Sequence, residues 1–414
     1  MRRDAESLLM AFQTPIYMDN HATTRMDPRV VEAMLPFFTE TFGNAGSTTH
    51  AFGWAAKEAV DDSREKIAAA IGAKAKEVLF TSGATESNNL ALRGVAERYA
   101  SKGRHIVSAT TEHHAVLDPL EKLGQRGCEI TLLPVLPASD PRAGLVRVED
   151  VAQAVREDTI LVSIMLANNE IGAIHPLAEI GRLCKERGVL LHTDATQAVG
   201  KMPVDVERIQ VDLMSFSAHK MYGPKGIGAL YVRGRNPRVR LEAQLHGGGQ
   251  EDGLRSGTLN VAGIVGFARA LELCLEEMPG EVPRLRGLRN RLFAGLCDRI
   301  SGITLNGPAL EPLELRLHGN LNVSFAYVEG ETLMLGMNEV AVSTGSACTS
   351  ANPEPSHVLR ALGLRDESLR GSIRFGLGRF NTEEEVDFVI RLAAETVNRL
   401  RQMSTAVGGI EGPQ

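Results

Sequence analysis

Asp212-Leu-Met-Ser-Phe-Ser217-Ala-His219-Lys220-Met-Tyr-Gly-Pro-Lys-Gly-Ile-Gly228 is the stretch around which the chain is organised. Its apolar run over 211–216 predicts a short buried strand. That strand delivers Ser217, His219 and Lys220 to its end, where a Gly/Pro-rich turn follows at once. A lysine held between buried strands loses its proton more readily, because desolvation disfavours the ammonium form. A neutral lysine amine can form a Schiff base with a carbonyl group. Taken alone, a lysine after a strand reads first as a solvated loop residue. The segments on either side decide between the two readings.

Upstream, strand-like runs over 77–81, 105–109, 129–135, 159–166 and 189–193 alternate with helical patterns. The helices run from the turn at 82–87 to about 99, and over 115–125, 148–156 and 177–187. A strand over 228–232 closes the series. This alternation predicts crossover units and an α/β fold, a mostly parallel sheet with helices on both faces. Before it, Asp27-Pro28 opens a helix to about 38, with Pro at a favourable early position. A second helix over 55–71 carries Val60, Ile67 and Ile71 on one face. After it, a helical pattern from 261 reaches about 277, where Pro279-Gly280 is expected to break it. The remainder to about 401 mixes helices with short strands such as 322–325. The expected division is an N-terminal arm over 1–27 belonging to the smaller domain, a large domain over 28–275, a smaller α+β domain over 276–403, and a disordered tail over 404–414.

At 414 residues the chain exceeds what one core usually holds, which favours two lobes. The formal net charge is −6 and no basic block stands out, which argues against nucleic acid or an anionic membrane as partner. No apolar run reaches membrane-spanning length, and the apolar stretch 8–12 is too short for a secretory signal. Five cysteines are scattered singly, as in a reducing cytoplasm, with no disulfide framework and no metal-ligand spacing. Cys128, Cys184, Cys274 and Cys297 sit in apolar or helical contexts and read as small hydrophobes. Cys348 differs. It lies mid-way along a Gly/Ser/Thr-rich loop, a poor core position and a suitable one for a thiolate nucleophile.

Several loops follow strands directly. Gly83-Ala84-Thr85 joins a strand to a helix, so backbone N–H groups and the helix dipole can cradle a phosphate there. His113 follows the 105–109 strand and suits a ring-stacking, proton-shuttling imidazole. Asn169 follows the 159–166 strand and offers an amide. Asp194 follows the 189–193 strand, where a carboxylate can pair with a pyridinium nitrogen. Singly these read as an N-cap turn, a surface histidine, an Asx turn and an N-cap aspartate. Jointly, with Lys220, they gather at the carboxyl ends of sheet strands, where ligands of such folds bind. The carbonyl compound that such a lysine, carboxylate and phosphate cradle suit is pyridoxal phosphate.

Thr81-Ser-Gly-Ala-Thr-Glu-Ser87, Ala167-Asn-Asn-Glu-Ile-Gly172, His192-Thr-Asp-Ala-Thr-Gln197, Ser217-Ala-His-Lys220, Arg255-Ser-Gly-Thr258 and Gly345-Ser-Ala-Cys348-Thr-Ser350 resemble the NifS/IscS-type cysteine desulfurases. These are pyridoxal phosphate enzymes of fold type I in the class V aminotransferase family. The resemblance runs from about 17 to about 401. It implies that Lys220 holds the cofactor, that Asp194 pairs with the ring nitrogen and Gln197 with the ring hydroxyl, and that His113 stacks on the ring. It implies Ala84, Thr85, Ser217 and His219 on the phosphate, with Thr258 reaching the phosphate of a neighbouring subunit in a homodimer. Asn169 and Arg374, in Ile373-Arg-Phe-Gly-Leu-Gly-Arg379, would hold the substrate carboxylate. The longer loop around Cys348 looks like the IscS-type branch. Asp252 departs from the family, standing where an arginine is common.

The implied activity converts L-cysteine to L-alanine, with sulfur passing to Cys348 as a persulfide. From there it would pass to an acceptor protein such as an iron–sulfur scaffold or a tRNA thiolation relay. A selenocysteine lyase uses nearly the same site. Another class V aminotransferase or lyase would keep Lys220 and Asp194 without a use for Cys348. A catalytically idle protein of this fold would tolerate loss of either Lys220 or Cys348, and both are present.

Overall fold

The computed structural model describes residues 14–344 and 356–408, with the backbone alone over 404–408. The described chain enters through β1 (Ile16–Tyr17). Seven strands then build the main sheet: β2 (Val78–Thr81), β3 (His105–Ala109), β4 (Glu129–Leu133), β5 (Thr159–Ser163), β6 (Leu190–Asp194), β7 (Leu213–Ser217) and β8 (Gly228–Val232). Their order is β2-β8-β7-β6-β5-β3-β4. Strand β8 runs antiparallel to both β2 and β7, and the remaining neighbours pair parallel. This is the mostly parallel α/β sheet that the alternation predicts.

Period-two alternation explains how the sheet is covered on both sides. Phe80, Val107, Val162, Leu191, Met214 and Tyr231 belong to one apolar cluster. Their immediate neighbours Leu79, Ile106, Leu161, Leu190, Leu213 and Leu230 belong to another. The second face is closed by the Ala84–Arg98 and His114–Gln125 helices, through Leu90, Leu92, Val95, Val116 and Leu120. The first is closed by the Ala51–Ala70, Leu177–Arg187 and Val261–Arg299 helices, through Val60, Ile67, Ile180, Ile264 and Phe267.

A second sheet follows, with β9 (Ile303–Leu305), β10 (Asn320–Phe325) and, after the short β11 (Val340–Ala341), β12 (Ser372–Gly376). Its order is β12-β10-β9, all antiparallel. Leu321, Val323, Phe325, Ile373 and Phe375 pack there against Leu285, Leu288, Leu292, Val386 and Val389. The N-terminal segment joins this core through Ile16 and Met18, and β1 pairs parallel with β11.

Two expectations are corrected. The helix predicted to stop near 277 runs unbroken from Val261 to Arg299, with Pro279 and Pro283 inside it. A helix-interior proline costs about 3 kcal/mol. Here Leu271, Leu273 and Cys274 are buried in the first core and Leu285, Leu288, Leu292 and Leu296 in the second. Each fully buried aliphatic side chain contributes roughly 1.5–3 kcal/mol, so packing at both ends outweighs the local penalty. The expected 275/276 boundary thus falls within one continuous helix. The last helix, Glu383–Gly408, passes the expected start of a disordered tail at Ser404.

Candidate active site

The parallel strands β2, β3, β5, β6 and β7 end at the same side of the sheet, and their following loops enclose a cavity of about 520 Å³. Ala84, Thr85, His113, Asn169, Asp194, Gln197, Ser217, His219 and Lys220 line it, and Arg374 reaches it from β12. Thr258 is exposed, on a loop outside this cavity. Cys348 lies outside the described residues. A larger hollow, about 780 Å³, lies elsewhere along the sheet. Its Arg64 and Arg233 are already paired, with Glu251 and with Glu207 and Asp212.

One end of the cavity suits an anion. The Ala84–Arg98 helix starts there, its N-cap Gly83 has no side chain to satisfy the first N–H groups, and its φ of +153° excludes most L side chains. The cradle is tight, since a Cβ at Gly228 would lie 2.6 Å from Gly83 Cα. Lys225, Ser217 and His219 stand around it. Burial, then the charges of Lys220 and Lys225, push His219 down to about 4, so its imidazole is neutral. Its Nδ1 meets Thr23 Oγ1 at 3.1 Å. Glu86 in the first turn would repel an anion, but Arg255 engages both of its oxygens. Burial alone would raise the Glu86 carboxyl; Arg255 and Ser82 hold it below its ordinary value.

The middle of the cavity holds Lys220. Its Nζ donates to His21 O at 2.7 Å and Ala22 O at 2.5 Å. Asp194, at the end of β6, is fixed from two sides: Asn88 Nδ2 donates to Oδ2 at 2.7 Å and Thr196 N to Oδ1 at 2.9 Å. Behind it, His192 lies between Ser163 and Ser215 and is pushed down to about 4 by burial, against the pull of Asp194. His113 Nδ1 accepts from Ala115 N at 3.0 Å, which puts the proton of the neutral ring on Nε2. Burial is the main cause of its lowered pKa, with Asp194 opposing and Lys220 adding to it. Gln197 Nε2 donates to His21 O at 2.9 Å.

The far end carries Arg374, almost wholly buried. Its Nη2 meets Asp19 Oδ1 at 2.8 Å and its Nη1 donates to Asn169 O at 3.2 Å. Among the described residues its Nε is a buried donor with no hydrogen-bond partner. Next to it, burial pushes Glu170 up to about 7, against Ser356 and Arg374. Ser356 Oγ donates to Glu170 Oε2 at 2.5 Å, and His357 Nε2 meets Glu112 O at 2.9 Å. Ser343, on the other side of 345–355, exchanges backbone hydrogen bonds with Arg374 and donates to Asp19 Oδ1 at 3.1 Å.

Asn88, His21, Asp19, Glu170 and Lys201 are the residues that sequence reasoning missed here. Asn88 had a signal: it lies one helical turn beyond Thr85, on the same face. His21 sits inside the polar segment Asp19-Asn-His-Ala-Thr-Thr24, whose cluster of side-chain donors and acceptors was the available signal. Asp19, Glu170 and Lys201 had none: the partners of Asp19 and Glu170 lie far away in sequence, and the Lys201–Gln197 pair has meaning only beside the cavity.

The chain is similar over most of its length to proteins of one known family. Residues 16–389 match the family model described as Aminotransferase class-V. The chain is 58% identical over 390 residues to the cysteine desulfurase IscS of Anaeromyxobacter dehalogenans (strain 2CP-C), covering 94% of each chain. It is 55% identical over 392 residues to the cysteine desulfurase IscS of Escherichia coli O9:H4 (strain HS), again covering 94% of each. A solved structure described as a NifS-like protein superimposes with a TM-score of 0.84 at 40% identity, over 93% of this chain and 99% of that one. Another, described as SspA in complex with cysteine, gives 0.76 at 34% identity, over 89% and 100%.

Proposed function

The chain belongs to the class-V aminotransferase family, as a cysteine desulfurase of the IscS kind, and from that premise we propose which residues carry the reaction and where the sulfur goes. Pyridoxal phosphate is its cofactor and, when bound, supplies an electron sink for charge developing at the substrate α-carbon. The cavity fits that group. The uncapped helix end with Ser217 and His219 suits a phosphate, the Lys220 amine a carbonyl, and the braced Asp194 carboxylate a ring nitrogen. Gln197 suits the ring hydroxyl, and His113 a stacked ring.

The single observation that carries the residue assignment is the convergence on one cavity of Lys220, Asp194 and an Arg374 whose Nε has no partner among the described residues. Arg374 and Asn169 hold the carboxylate of L-cysteine, the guanidinium through its planar fork. Lys220 Nζ takes the α-proton and later returns a proton to the product. The Cys348 thiolate attacks the substrate sulfur. A sulfur–sulfur bond forms there and the substrate carbon–sulfur bond breaks. The electron pair of that bond remains with the carbon fragment, which takes up protons and leaves as L-alanine. Sulfur thus stays on Cys348 as a persulfide, to be passed to an acceptor protein serving iron–sulfur assembly or tRNA thiolation.

The working unit in this proposal is a homodimer. Leu35, Phe38, Phe42, Phe52 and Trp54 are each more than half exposed, an apolar grouping that suits a second copy. Thr258, exposed in its own chain, would then reach the neighbour's cofactor. Sedimentation that finds a fully active monomer would refute this. A cytoplasmic setting is consistent with the free thiols of Cys128, Cys184, Cys274 and Cys297. Among the described residues, no helix is long and apolar enough to cross a membrane.

The test of the whole reading is incubation of the enzyme, loaded with pyridoxal phosphate, with L-cysteine and a reductant. Equal amounts of alanine and sulfide are expected, and none from Lys220→Ala. No alanine from the wild type would overturn it.

A further inference from the structure

Lys201 is a second lysine close to the site, and nothing in the reaction described above uses it. It does not line the main cavity. It stands behind it, lining a small hollow of mixed character whose other walls include Asn20, Tyr222, Cys274, Glu281 and His318. Its Nζ donates to Gln197 Oε1 at 2.6 Å. A lysine nitrogen next to an amide oxygen acts as a donor, so the oxygen end of the amide must face it. The nitrogen end then faces His21 O, which only accepts, and donates to it at 2.9 Å. Two partners of fixed polarity therefore hold Gln197, and one Nε2–H remains over.

The same clamp selects the form of His21. Gln197 Oε1 lies 3.2 Å from His21 Nδ1, and that oxygen cannot donate, so Nδ1 carries the proton. The bare Nε2 is buried with no partner among the described residues. Burial, then the charges of Lys201 and Arg374, keep His21 neutral, well below its ordinary pKa. The carbonyl of His21 in turn receives Lys220 Nζ. A hydrogen-bonded path thus runs from Lys201 through Gln197 and His21 to Lys220.

We propose that Lys201 is a positioning residue, which clamps the Gln197 amide so that its spare N–H is offered to the anionic ring oxygen of the cofactor and which sets the charge felt at Lys220. This rests on the reading of the cavity as a pyridoxal phosphate site. Burial, then the Lys220 charge, push Lys201 down to about 7, with Cys274, Arg374 and Glu281 also facing it. Its amine keeps N–H donors in either protonation state, so the clamp survives deprotonation.

The experiment compares holoenzymes: wild type, Lys201→Met, Lys201→Arg, Gln197→Ala and the Lys201→Met/Gln197→Ala double variant. Two quantities are read, the pH midpoint of the cofactor's visible absorption and the cofactor dissociation constant by dialysis. A positive charge near Lys220 disfavours a protonated nitrogen there, so Lys201→Met is expected to raise the midpoint by about one unit. It should weaken cofactor binding about tenfold, the effect of losing one buried hydrogen bond that holds Gln197. Lys201→Arg should restore both. In the Gln197→Ala background, Lys201→Met should no longer change the affinity. Wild-type values in Lys201→Met, or a loss of affinity undiminished without Gln197, would overturn the proposal. If Lys201→Met does not fold, Lys201→Gln, which keeps a donor without the charge, must raise the midpoint and hold the affinity; an unmoved midpoint overturns it. A wild type with no visible band in saturating pyridoxal phosphate defeats the reading of the cavity itself, which is a different outcome.

Discussion

Arg374 Nη2 lies 2.8 Å from Asp19 Oδ1, so the guanidinium expected to hold a substrate carboxylate already carries one from the protein. Asp19 orients the fork, Asn169 O takes Nη1, and Nε remains over. Arg374→Lys keeps the charge, but its ammonium would be captured by Asp19 and could not bridge to a second carboxylate. The KM for L-cysteine is expected to rise about 10- to 100-fold, from the loss of hydrogen bonds worth roughly 1.5–3 kcal/mol, with the cofactor absorption unchanged. Steady-state kinetics check this, and an unaltered KM refutes the assignment. Arg379 is no alternative, being held by Asp27, Glu277 and Glu281.

Asn88 is expected to act on the cofactor through Asp194. Asn88→Ala removes the 2.7 Å donor to Asp194 Oδ2 and leaves that oxygen buried. The loss should cost about 1–3 kcal/mol of stability, as for any buried acceptor stripped of its partner. Cofactor affinity should fall as well, because the carboxylate is free to turn. Calorimetry and cofactor titration check the two effects; wild-type values in both would show that Thr196 alone holds Asp194.

Glu170 should give the stability curve a definite slope. Burial raises its carboxyl from an ordinary 4.5 to about 7. Between those values the folded state binds more protons than the unfolded one, so stability falls as pH rises from about 4.5 to about 7. The loss is about 3 kcal/mol at most. Glu170→Gln still accepts from Ser356 and has no proton to lose. Its melting temperature relative to wild type should climb through that window and level off above it. A difference that does not vary with pH would show that Glu170 is charged throughout.

Cys348→Ser separates sulfur transfer from the chemistry at Lys220. Added L-cysteine should still change the absorption spectrum, since that change needs Lys220 and the cofactor. Alanine release should collapse, because a serine hydroxyl is a very poor nucleophile toward sulfur. In the wild type, brief exposure to L-cysteine without reductant should add about 32 Da to the peptide holding Cys348. Sulfur mapped to Cys128 or Cys184 would overturn the mechanism. The second outcome is disfavoured in advance for Cys184, whose thiol burial pushes up to about 12.

Local patterns were enough for the elements of the large sheet. The Leu177–Arg187 helix and the strands His105–Ala109 and Gly228–Val232 stand where apolar periodicity puts them. The motif residues that end those strands line one cavity because parallel strands finish on one side of a sheet. The break expected at Pro279-Gly280 failed for a physical reason. Proline acts on its own helical turn, whereas the helix is held by two cores that bury side chains on either side of it.

By itself, then, the order of residues determined the alternation of strand and helix, the strand-end motifs and, through them, the family and its chemistry. These are local properties, written in spacing and residue type. Tertiary structure alone decided what surrounds the reacting groups: Asp19 on Arg374, Asn88 on Asp194, Arg255 on Glu86, Lys201 behind Gln197, and the burial that raises Glu170. Three of those pairs are separated by more than a hundred residues, and the fourth, Lys201 with Gln197, spans a turn that means nothing until the cavity exists. Desolvation and hydrogen-bond polarity depend on neighbours in space, and folding is what supplies them.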